Sequence, residues 1–379
     1  MSWAITGMGA VASVGHGVGE VFEALCAGRS GLAELRGFDP GRFRARQAYE
    51  IDDRPERGVD RPGRATGWLV AAVEAALLDS GGVDELDDVP VLVGTGLREL
   101  RSLELWWRDG CPLDPSELHF GAALRSRLGT GASYTFANAC SASLYALGLG
   151  ADLLALERAD TVVVSGVDSI TESMFGLLDR VHPEPPDAVR PFDRCRKGVL
   201  MGEGAAAVVL RREADVAPGA AHARLRSVAM SCDAYHVTAP DPDGIERTIR
   251  EAHERAGLGP HDVDLVLLHG TGTLLNDQAE ASALDRVFTS AGASPLMTAV
   301  KSMTGHTSGG SGLLGVVVAA EALKTGRVPP TVGLSDPLPE AQSFRFAQGG
   351  GATSELGVAQ VDAFGFGGLN AVAVLEKVA

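Results

Sequence analysis

Residues 263–273 read VDLVLLHGTGT, an apolar run that ends in a Gly-Thr-Gly turn. Residues 89–97, VPVLVGTGL, repeat this design in the first part of the chain. A continuous apolar run bounded by a glycine turn is typical of a strand that is buried on both faces, as in a sheet covered by helices. The repetition indicates that the chain contains the same βα unit twice.

Other blocks recur around these two strands in the same order. Each unit begins with an apolar strand and an amphipathic helix, and continues after the glycine turn with a strand, a loop and a helix that opens with small residues. Each unit then closes on a hairpin-like pair of apolar strands. The matched blocks are 3–10 with 223–231, 65–80 with 244–256, and 133–140 with 295–310.

The connector between the two copies is residues 215–221, a short segment rich in Pro, Gly and Ala. It is too short for a flexible linker, so we expect the halves to pack into one body. The sequence thus predicts an α/β fold made of two duplicated βα halves, 1–215 and 216–379, in which mixed sheets sandwich helices.

Composition excludes several classes of protein. The chain has 379 residues and is 45% hydrophobic, enough to bury a large core. Its formal charge of −16 argues against a nucleic-acid partner, because such binding depends on Lys and Arg neutralising phosphates. The uncharged stretch 129–151 is too rich in Ser, Thr, Asn and Gly for a membrane span. We therefore expect a soluble protein that contacts neither nucleic acid nor membrane.

The cysteines are spread along the chain and form no Cys-x-x-Cys pair. Neither a zinc site nor a disulfide framework is indicated, so we expect reduced thiols in the cytoplasm. The five cysteines are Cys26, Cys111, Cys140, Cys195 and Cys232.

Cys140 lies in the motif NACSAS, between a predicted strand and a helix that begins with small residues. A helix N-terminus favours negative charge, so this position is expected to lower the pKa of the thiol and to prepare a nucleophile. A lone cysteine is nevertheless more often a packed core residue. Cys140 therefore needs partners before it can be assigned a chemical role.

Two histidines provide such partners. His269 follows the strand of residues 263–268, and His306 follows the strand-like segment 297–302 at the position that matches Cys140 in the first half. Each histidine alone is more often a structural residue. In a duplicated fold, however, all three positions lie at strand ends that converge on one centre, which predicts a shared active site.

Motifs with recognisable order run through the chain: TGMGAVASVG, NACSAS, RPFD, MGEGAAAVVL, SCDAYHVTAP, HGTGTLLNDQAEA, VKSMTGH and FGFGG. Together they resemble the β-ketoacyl synthases of the thiolase superfamily, especially the chain-elongating enzymes of bacterial fatty acid and type II polyketide synthesis. The resemblance covers nearly the whole chain. It implies a thiolase-like fold, in which the duplicated halves form a layered αβαβα sandwich.

The resemblance implies decarboxylative Claisen condensation of an acyl thioester with a malonyl-carrier thioester, in fatty acid or polyketide-type secondary metabolite synthesis. Cys140 would carry the acyl chain as a thioester. His269 and His306, as neutral imidazoles, would donate hydrogen bonds to the malonyl thioester oxygen as it becomes an enolate. Lys301 and its expected ionic partner Glu280 would organise the two histidines, although a plain buried ion pair is the alternative.

The glycine-rich motif FGFGG would complete the site. By resemblance, the backbone N–H groups of Cys140 and Phe366 form an oxyanion hole, and the Phe366 ring gates the acyl channel. Gly365, Gly367 and Gly368 would give this loop its backbone freedom.

The remaining substrate contacts concern the carrier. Thr271 and Thr273 would hydrogen-bond the phosphopantetheine arm, which arrives on an acyl carrier protein, so no metal or dissociable cofactor is expected. Because carrier proteins are acidic, an entrance patch of Arg61, Arg64 and Arg190 is expected to receive them; scattered solvated arginines are the alternative.

The segment 97–136 departs from the family, since it is shorter and lacks the usual Pro- and Asn-containing stretch. In relatives this region helps to build the dimer interface and the far end of the acyl pocket, where Leu97 would lie. Here it carries Trp106 and Trp107, which either line a pocket or pack at a subunit interface; we favour packing. The identity of the acyl cargo is left open.

Two further departures, Leu369 for the usual Thr and Asp362 for Asn or Ser, remove no chemical group from the mechanism. Two alternative functions are acyl transfer to an amine, alcohol or thiol without elongation, and the role of a non-catalytic chain-length subunit. The complete Cys, His, His set favours condensation. A homodimer is expected, with a heterodimer containing a chain-length partner as the other assembly.

Overall fold

The computed structural model describes residues 2–82 and 86–378. The strands in this part of the chain are β1 (Trp3–Ala12), β2 (Gly15–His16), β3 (Ala33–Glu34), β4 (Gln47–Ala48), β5 (Val91–Gly94), β6 (Ser133–Phe136), β7 (Thr161–Asp168), β8 (Gly204–Arg212), β9 (Ala223–Cys232), β10 (Leu265–Leu267), β11 (Leu296–Thr298), β12 (Arg327–Val328), β13 (Arg345–Phe346), β14 (Ala352–Thr353), β15 (Val358–Gly365) and β16 (Leu369–Glu376). The α-helices are α1 (Val18–Cys26), α2 (Arg64–Asp79), α3 (Leu100–Asp109), α4 (Gly121–Leu128), α5 (Ala142–Ala155), α6 (Glu172–Val181), α7 (Pro242–Ala256), α8 (Leu274–Val287), α9 (Lys301–Thr304) and α10 (Ser311–Thr325).

The two halves form sheets of the same topology. In the first half the strand order is β1-β8-β7-β5-β6, and in the second it is β9-β16-β15-β10-β11. The directions also match, because each sheet is antiparallel over its first three strands and parallel from the third to the fifth. Antiparallel pairing of residues 3–5 in β1 with residues 223–225 in β9 joins the sheets. The predicted duplication is confirmed.

The helices form three layers around the sheets. Helices α5 and α10 pack against each other and against strands of both halves, so they form the middle layer. Helix α2 packs on β1, β8 and β7 of the first sheet, while α7 packs on β9 and β16 and contacts α8 on the other side of the molecule. Because α10 is apolar and buried along nearly its whole length, it suits only a central layer. The αβαβα sandwich is confirmed.

Close backbone contacts bring the strand ends to one centre. A Cβ atom on Gly94, at the end of β5, would lie 2.3 Å from the backbone nitrogen of Ser143 at the start of α5. A Cβ atom on Gly166, in β7, would lie 2.9 Å from the Cα of Gly310. Only glycine permits such an approach, so these residues let the helix starts of both halves meet between the sheets.

The short segment 97–136 folds as α3, a 3₁₀ turn, α4 and the edge strand β6. Trp107 is 82% exposed and Trp106 is 46% exposed, and their ring centroids lie 6.3 Å apart. Both rings are therefore open to solvent and are not enclosed by the residues that the structure describes.

Among the residues that the structure describes, no helix combines the length and the apolar character needed to cross a membrane.

Candidate active site

Cys140 lies in a tight turn between β6 and α5. The turn Ala139–Ser141 is 3₁₀, and Ala139 has a φ of 49°, a left-handed conformation that is costly for alanine. Gly365 packs directly against this turn, since a Cβ atom there would lie 3.2 Å from the backbone nitrogen of Cys140. The chain thus fixes the nucleophile at the predicted junction of strand and helix.

The structure brings the three predicted catalytic residues together. The Nε2 atom of His306 lies 3.0 Å from the Sγ atom of Cys140. The His269 and His306 rings stand nearly perpendicular, at 87°, with centroids 5.5 Å apart. His269 follows β10, and His306 lies between α9 and α10, where the predicted strand-like segment 297–302 proves to be the end of β11 and the start of a short helix.

The same three side chains are the described residues that could hold a metal ion, because their donor atoms lie within 4.8 Å of one another. In a tetrahedral zinc site, bond lengths of about 2.3 Å to sulfur and about 2.0 Å to nitrogen place these ligand atoms about 3.5 Å apart. The separation of 3.0 Å between Cys140 Sγ and His306 Nε2 is a hydrogen-bonded contact instead. The geometry fits proton transfer better than coordination.

The pKa of the Cys140 thiol differs from our expectation. Burial raises it to about 11, although Lys301 and the backbone amides of Phe366 and Cys140 lower it in part. The expected lowering at the helix start was wrong because the loss of water around the sulfur outweighs the favourable local charges. The resting site therefore holds a neutral thiol beside a neutral imidazole.

This raised pKa predicts the pH dependence of alkylation. Iodoacetamide reacts with the thiolate, so the rate at Cys140 is expected to rise about tenfold per pH unit up to about pH 8 and less steeply above it, where Lys301 loses its charge. Mass spectrometry of the peptide that contains Cys140 measures this rate. Lys301→Met is expected to slow the reaction further, because Lys301 favours the thiolate. A rate that levels off near neutral pH would contradict the protonated resting state.

Both histidines are neutral in this environment. Burial holds the pKa of His269 and of His306 well below the usual value, and the charge of Lys301 lowers both further. Lys301 Nζ lies 3.4 Å from Nδ1 of His269 and donates to its carbonyl oxygen. An ammonium can only donate to Nδ1, so it leaves the proton of His269 on Nε2, toward the centre. The neutral imidazoles that the resemblance implied agree with these pKa directions.

Glu280 supports His269 through hydrogen bonds to the backbone. Its Oε1 accepts from the His269 amide at 2.6 Å, and its Oε2 accepts from the Gly270 amide at 2.9 Å and from Asn276 Nδ2 at 3.1 Å. Glu280 and Lys301 form no direct salt bridge, but each charge favours the ionised form of the other, so the expected ionic partnership acts over a longer distance. The main chain of His269 lies between the two side chains, which hold its N–H and C=O from opposite sides.

Asp362 adds a second buried carboxylate to this group. Gln360 Nε2 donates to both of its oxygens, at 2.8 and 3.1 Å. Burial raises the pKa of Asp362 to about 7 and that of Glu280 to about 8, and repulsion by Asp362 adds to the rise at Glu280. Burial also lowers the pKa of Lys301 to about 8. The Lys301 ammonium interacts with three buried carboxylates, since Asp277 also acts on its pKa, and the cluster therefore changes its charge near neutral pH.

Phe366 and its glycines occupy the other side of the thiol. The backbone amides of Phe366 and Cys140 both help to lower the pKa of the Cys140 thiol, so both N–H groups favour negative charge at this position, as an oxyanion hole requires. The Phe366 ring is 50% exposed at the surface. Gly367 and Gly368 have φ values of 86° and 77° and need glycine for this reason.

Gly365 differs from these two glycines, because it lies in β15 and is not among the residues with positive φ. The expectation that it supplies backbone freedom was wrong. Because Gly365 has no side chain, it lets the backbone of β15 lie close to the backbone of Cys140.

Thr271 and Thr273 form a pair of hydroxyls, with Oγ1 atoms 2.9 Å apart, after His269. Asp277 Oδ1 accepts from the Thr271 and Gly272 amides at 3.1 and 3.2 Å and so shapes their loop. Leu97 follows β5 and packs against a separate apolar cluster that includes Phe175. The structure thus places the two threonines beside His269. It places Leu97 in the first half, on the loop that follows β5.

The expected entrance patch is only partly available. Arg64 is buried and binds Asp53 and Glu203, at 2.7 and 2.8 Å, so its proposed contact with a carrier was wrong. Arg190 pairs with Asp187 at 2.6 Å, and Arg61 is exposed. Sequence alone could not distinguish these arginines, because burial depends on how the loop before α2 folds over β8.

Comparisons with known proteins agree with this geometry. Residues 3–216 match the family described as Beta-ketoacyl synthase, N-terminal domain, and residues 222–335 match its C-terminal domain. The chain is 30% identical to 3-oxoacyl-[acyl-carrier-protein] synthase 2 of Synechocystis sp., over 98% of this chain and 97% of that protein. It is 31% identical to the chloroplastic 3-oxoacyl-[acyl-carrier-protein] synthase I of Arabidopsis thaliana, over 97% and 85%.

Among solved structures, the ishigamide ketosynthase/chain length factor superposes with a TM-score of 0.90 at 31% identity, over 100% of this chain and 99% of that chain.

Proposed function

The chain belongs to the β-ketoacyl synthase family, and from this premise we propose how its own residues carry out the condensation. The reaction is acyl transfer followed by Claisen condensation with a malonyl unit. One observation carries the assignment of residues: Cys140 Sγ lies 3.0 Å from His306 Nε2, with the His269 ring beside them.

In the first step His306 acts as the base. Because the thiol is protonated at rest, Nε2 accepts its proton as the sulfur attacks the acyl thioester carbonyl. The amides of Cys140 and Phe366 stabilise the oxyanion. The carbon–sulfur bond to the carrier arm then breaks, and the departing arm thiolate takes the proton from His306. The products are acyl-Cys140 and a free carrier thiol.

In the second step both histidines act as donors. The malonyl carboxylate leaves as carbon dioxide, and its electron pair forms an enolate whose oxygen accepts from Nε2–H of His269 and His306. The enolate carbon attacks the acyl-Cys140 carbonyl, and the bond to sulfur breaks. The Cys140 thiolate then takes up one proton from solvent, so each turnover consumes one proton.

His306 needs opposite tautomers in the two steps, since Nε2 accepts a proton first and donates a hydrogen bond later. Its Nδ1 is buried, and no described residue pairs with it. The protein therefore does not fix the tautomer of His306, whereas Lys301 fixes that of His269. This difference supports separate roles for the two histidines.

Plain acyl transfer is not favoured, because it would need only one histidine beside the thiol. A product assay distinguishes the two reactions. Acyl-loaded protein is offered either malonyl carrier or an amine, alcohol or thiol acceptor, and products are identified by mass spectrometry. Condensation predicts carbon dioxide and a β-ketoacyl carrier with the first acceptor; acyl esters, amides or thioesters with the others would support transfer without elongation.

We propose that no metal or dissociable cofactor takes part and that the phosphopantetheine arm arrives on an acyl carrier protein. The hydroxyls of Thr271 and Thr273 would bind the arm. Arg196 donates to the carbonyl oxygens of Thr273 and Leu274, both at 3.2 Å. The segment 194–197 therefore lies against the loop that carries the two threonines. The exposed side chains of Arg194 and Lys197, which pair with the exposed carboxylates of Asp336 and Glu184, are thereby placed to exchange these partners for an acidic carrier.

Charge reversal at this surface is expected to weaken carrier binding. Arg194→Glu with Lys197→Glu is expected to raise the KM for an acyl carrier about three- to tenfold, with a smaller effect at high salt, because exposed charges contribute modestly. The KM for an acyl-N-acetylcysteamine thioester should stay the same. Lys324→Glu, at the far end of α10, is the matched control. An equal rise with the small thioester would contradict the docking role.

We propose a dimer that uses the edge strand β6 and the exposed Trp106 and Trp107. Tyr134, in β6, is also exposed, which adds apolar surface to the same segment. The likeness to a ketosynthase/chain length factor pair supports the heterodimer as the other assembly. Light scattering on the chain alone and mixed with a candidate partner distinguishes them. We place the enzyme in the cytoplasm, where its free thiols stay reduced.

A further inference from the structure

Asp168 is a fully buried carboxylate that the steps above do not use. It ends strand β7, and its oxygens accept from Thr95 Oγ1 at 2.8 Å and from the backbone amides of Gly96, Leu97 and Gly309, each at 2.7 Å. These donors come from opposite halves of the chain. One carboxylate therefore ties together two loops that are distant in sequence.

The two loops are the acyl loop, residues 95–98, and the histidine loop, residues 306–310. They touch through the main chain, because a Cβ atom on Gly309 would lie 2.4 Å from the carbonyl carbon of Thr95. A Cβ atom on Gly96 would lie 2.3 Å from Ser308 Oγ. With no space between them, a shift in one loop must move the other.

Each loop also contains a strained residue. Arg98 in the acyl loop has a φ of 53°, and Ser308 in the histidine loop has a φ of 43°. Such conformations are costly for residues other than glycine and persist only where neighbouring groups hold them. The carboxylate binds the residues next to both, so it is placed to hold this strain.

We propose that Asp168 is a positioning residue that locks the acyl loop to the histidine loop and so sets the place of His306 relative to Cys140 when an acyl chain enters beside Leu97. This proposal rests on the roles given above to Cys140 and His306. It links recognition of the acyl group in one half of the fold to the base in the other half.

Asp168→Asn tests the lock. The amide that replaces the carboxylate would offer one acceptor oxygen and present N–H groups to the remaining donors, so the two loops would lose at least one hydrogen bond to this side chain. We expect the single-turnover rate of Cys140 acylation, followed by intact mass, to fall about 10- to 100-fold. The maximal rate should fall more than the KM for the acyl carrier rises, because the arm-binding hydroxyls of Thr271 and Thr273 are unchanged.

The pH profile gives a second readout. Burial raises the pKa of Asp168 to about 6, so the wild-type carboxylate gains a proton and loses acceptors as the pH falls through this value. The negative charge of Asp168 also raises the pKa of the Cys140 thiol, so its protonation would by charge alone favour the thiolate, and a fall in rate at low pH reports the loosened loops instead. We expect the acylation rate of the wild type to fall below about pH 6, which gives its pH profile an acid limb. This acid limb should be missing in Asp168→Asn.

Control variants keep the test decisive if Asp168→Asn folds poorly. Thr95→Val removes one of the four bonds and should give a smaller loss of acylation, while Thr95→Ser keeps the hydroxyl and should restore the rate. Asp179→Asn removes a comparable buried carboxylate, which accepts from the Arg44 and Ala45 amides at 3.0 and 2.8 Å outside the site. It should lower thermal stability and leave the acylation profile unchanged.

Two results would overturn the lock: wild-type acylation with an unchanged acid limb in Asp168→Asn, or the same acylation defect in Asp179→Asn. Neither result affects the role of Cys140. Retention of activity in Cys140→Ala would instead remove the proposed function, so the two failures are distinguishable.

Discussion

Cys140→Ala is expected to abolish condensation, with a fall of about 10⁴- to 10⁶-fold in kcat, as when other enzymes lose their nucleophile. The reason is that both steps pass through a bond to this sulfur, and no other described thiol lies near His306. The loss is measured as β-ketoacyl carrier formed, and intact mass should show no acyl adduct with any acyl carrier. The fold should be unaffected, because alanine fits the tight turn that holds Cys140.

Cys232→Ala is the matched control for this result. Cys232 is exposed, and its sulfur lies 3.6 Å from the carbonyl oxygen of Gly367, on the loop beside Phe366. It should keep full activity and full acylation. An acyl adduct that persists in Cys140→Ala would show that another group carries the acyl chain.

Substitution of the two histidines is expected to separate the two steps. His306→Ala should slow acylation of Cys140 about 10²- to 10⁴-fold, because it removes the base that lies 3.0 Å from the thiol. His269→Ala should acylate at nearly the wild-type rate and yet lose malonyl decarboxylation by about 10²- to 10³-fold, because it removes one enolate donor. Single-turnover intact mass measures the first rate, and labelled carbon dioxide released from malonyl carrier measures the second.

Equal loss of acylation in both variants would contradict this division of roles. Asn276→Ala offers a control near His269, since Asn276 contacts Glu280 and neither histidine. It should change both rates little, because Glu280 keeps its two bonds to the backbone.

The fold was predictable because its signal is local and repeated. The apolar strands at 89–97 and 263–273 each end in a glycine turn, and the same order of blocks surrounds them. Duplication fixes topology, and it also places strand ends at one centre. This is why Cys140, His269 and His306 could be grouped before any distance was known.

The charges of the site could not be read in the same way. The pKa of Cys140 depends on how much water the folded chain removes, which no local pattern records. The direct partners of Glu280 and Arg64 could not be predicted for a similar reason, since each binds groups that only the tertiary fold brings within reach. Asp168 carried no signal in its motif, because its four donors come from two distant loops.

The central claim is that acyl-Cys140 is the intermediate that condensation consumes. The most direct measurement is a chase of isolated acyl-Cys140 protein with malonyl carrier labelled in its free carboxylate. We expect the adduct to disappear from Cys140 in step with release of one labelled carbon dioxide and with the gain of the acyl mass on the carrier. An adduct that persists, or that leaves without release of labelled carbon dioxide, would contradict it.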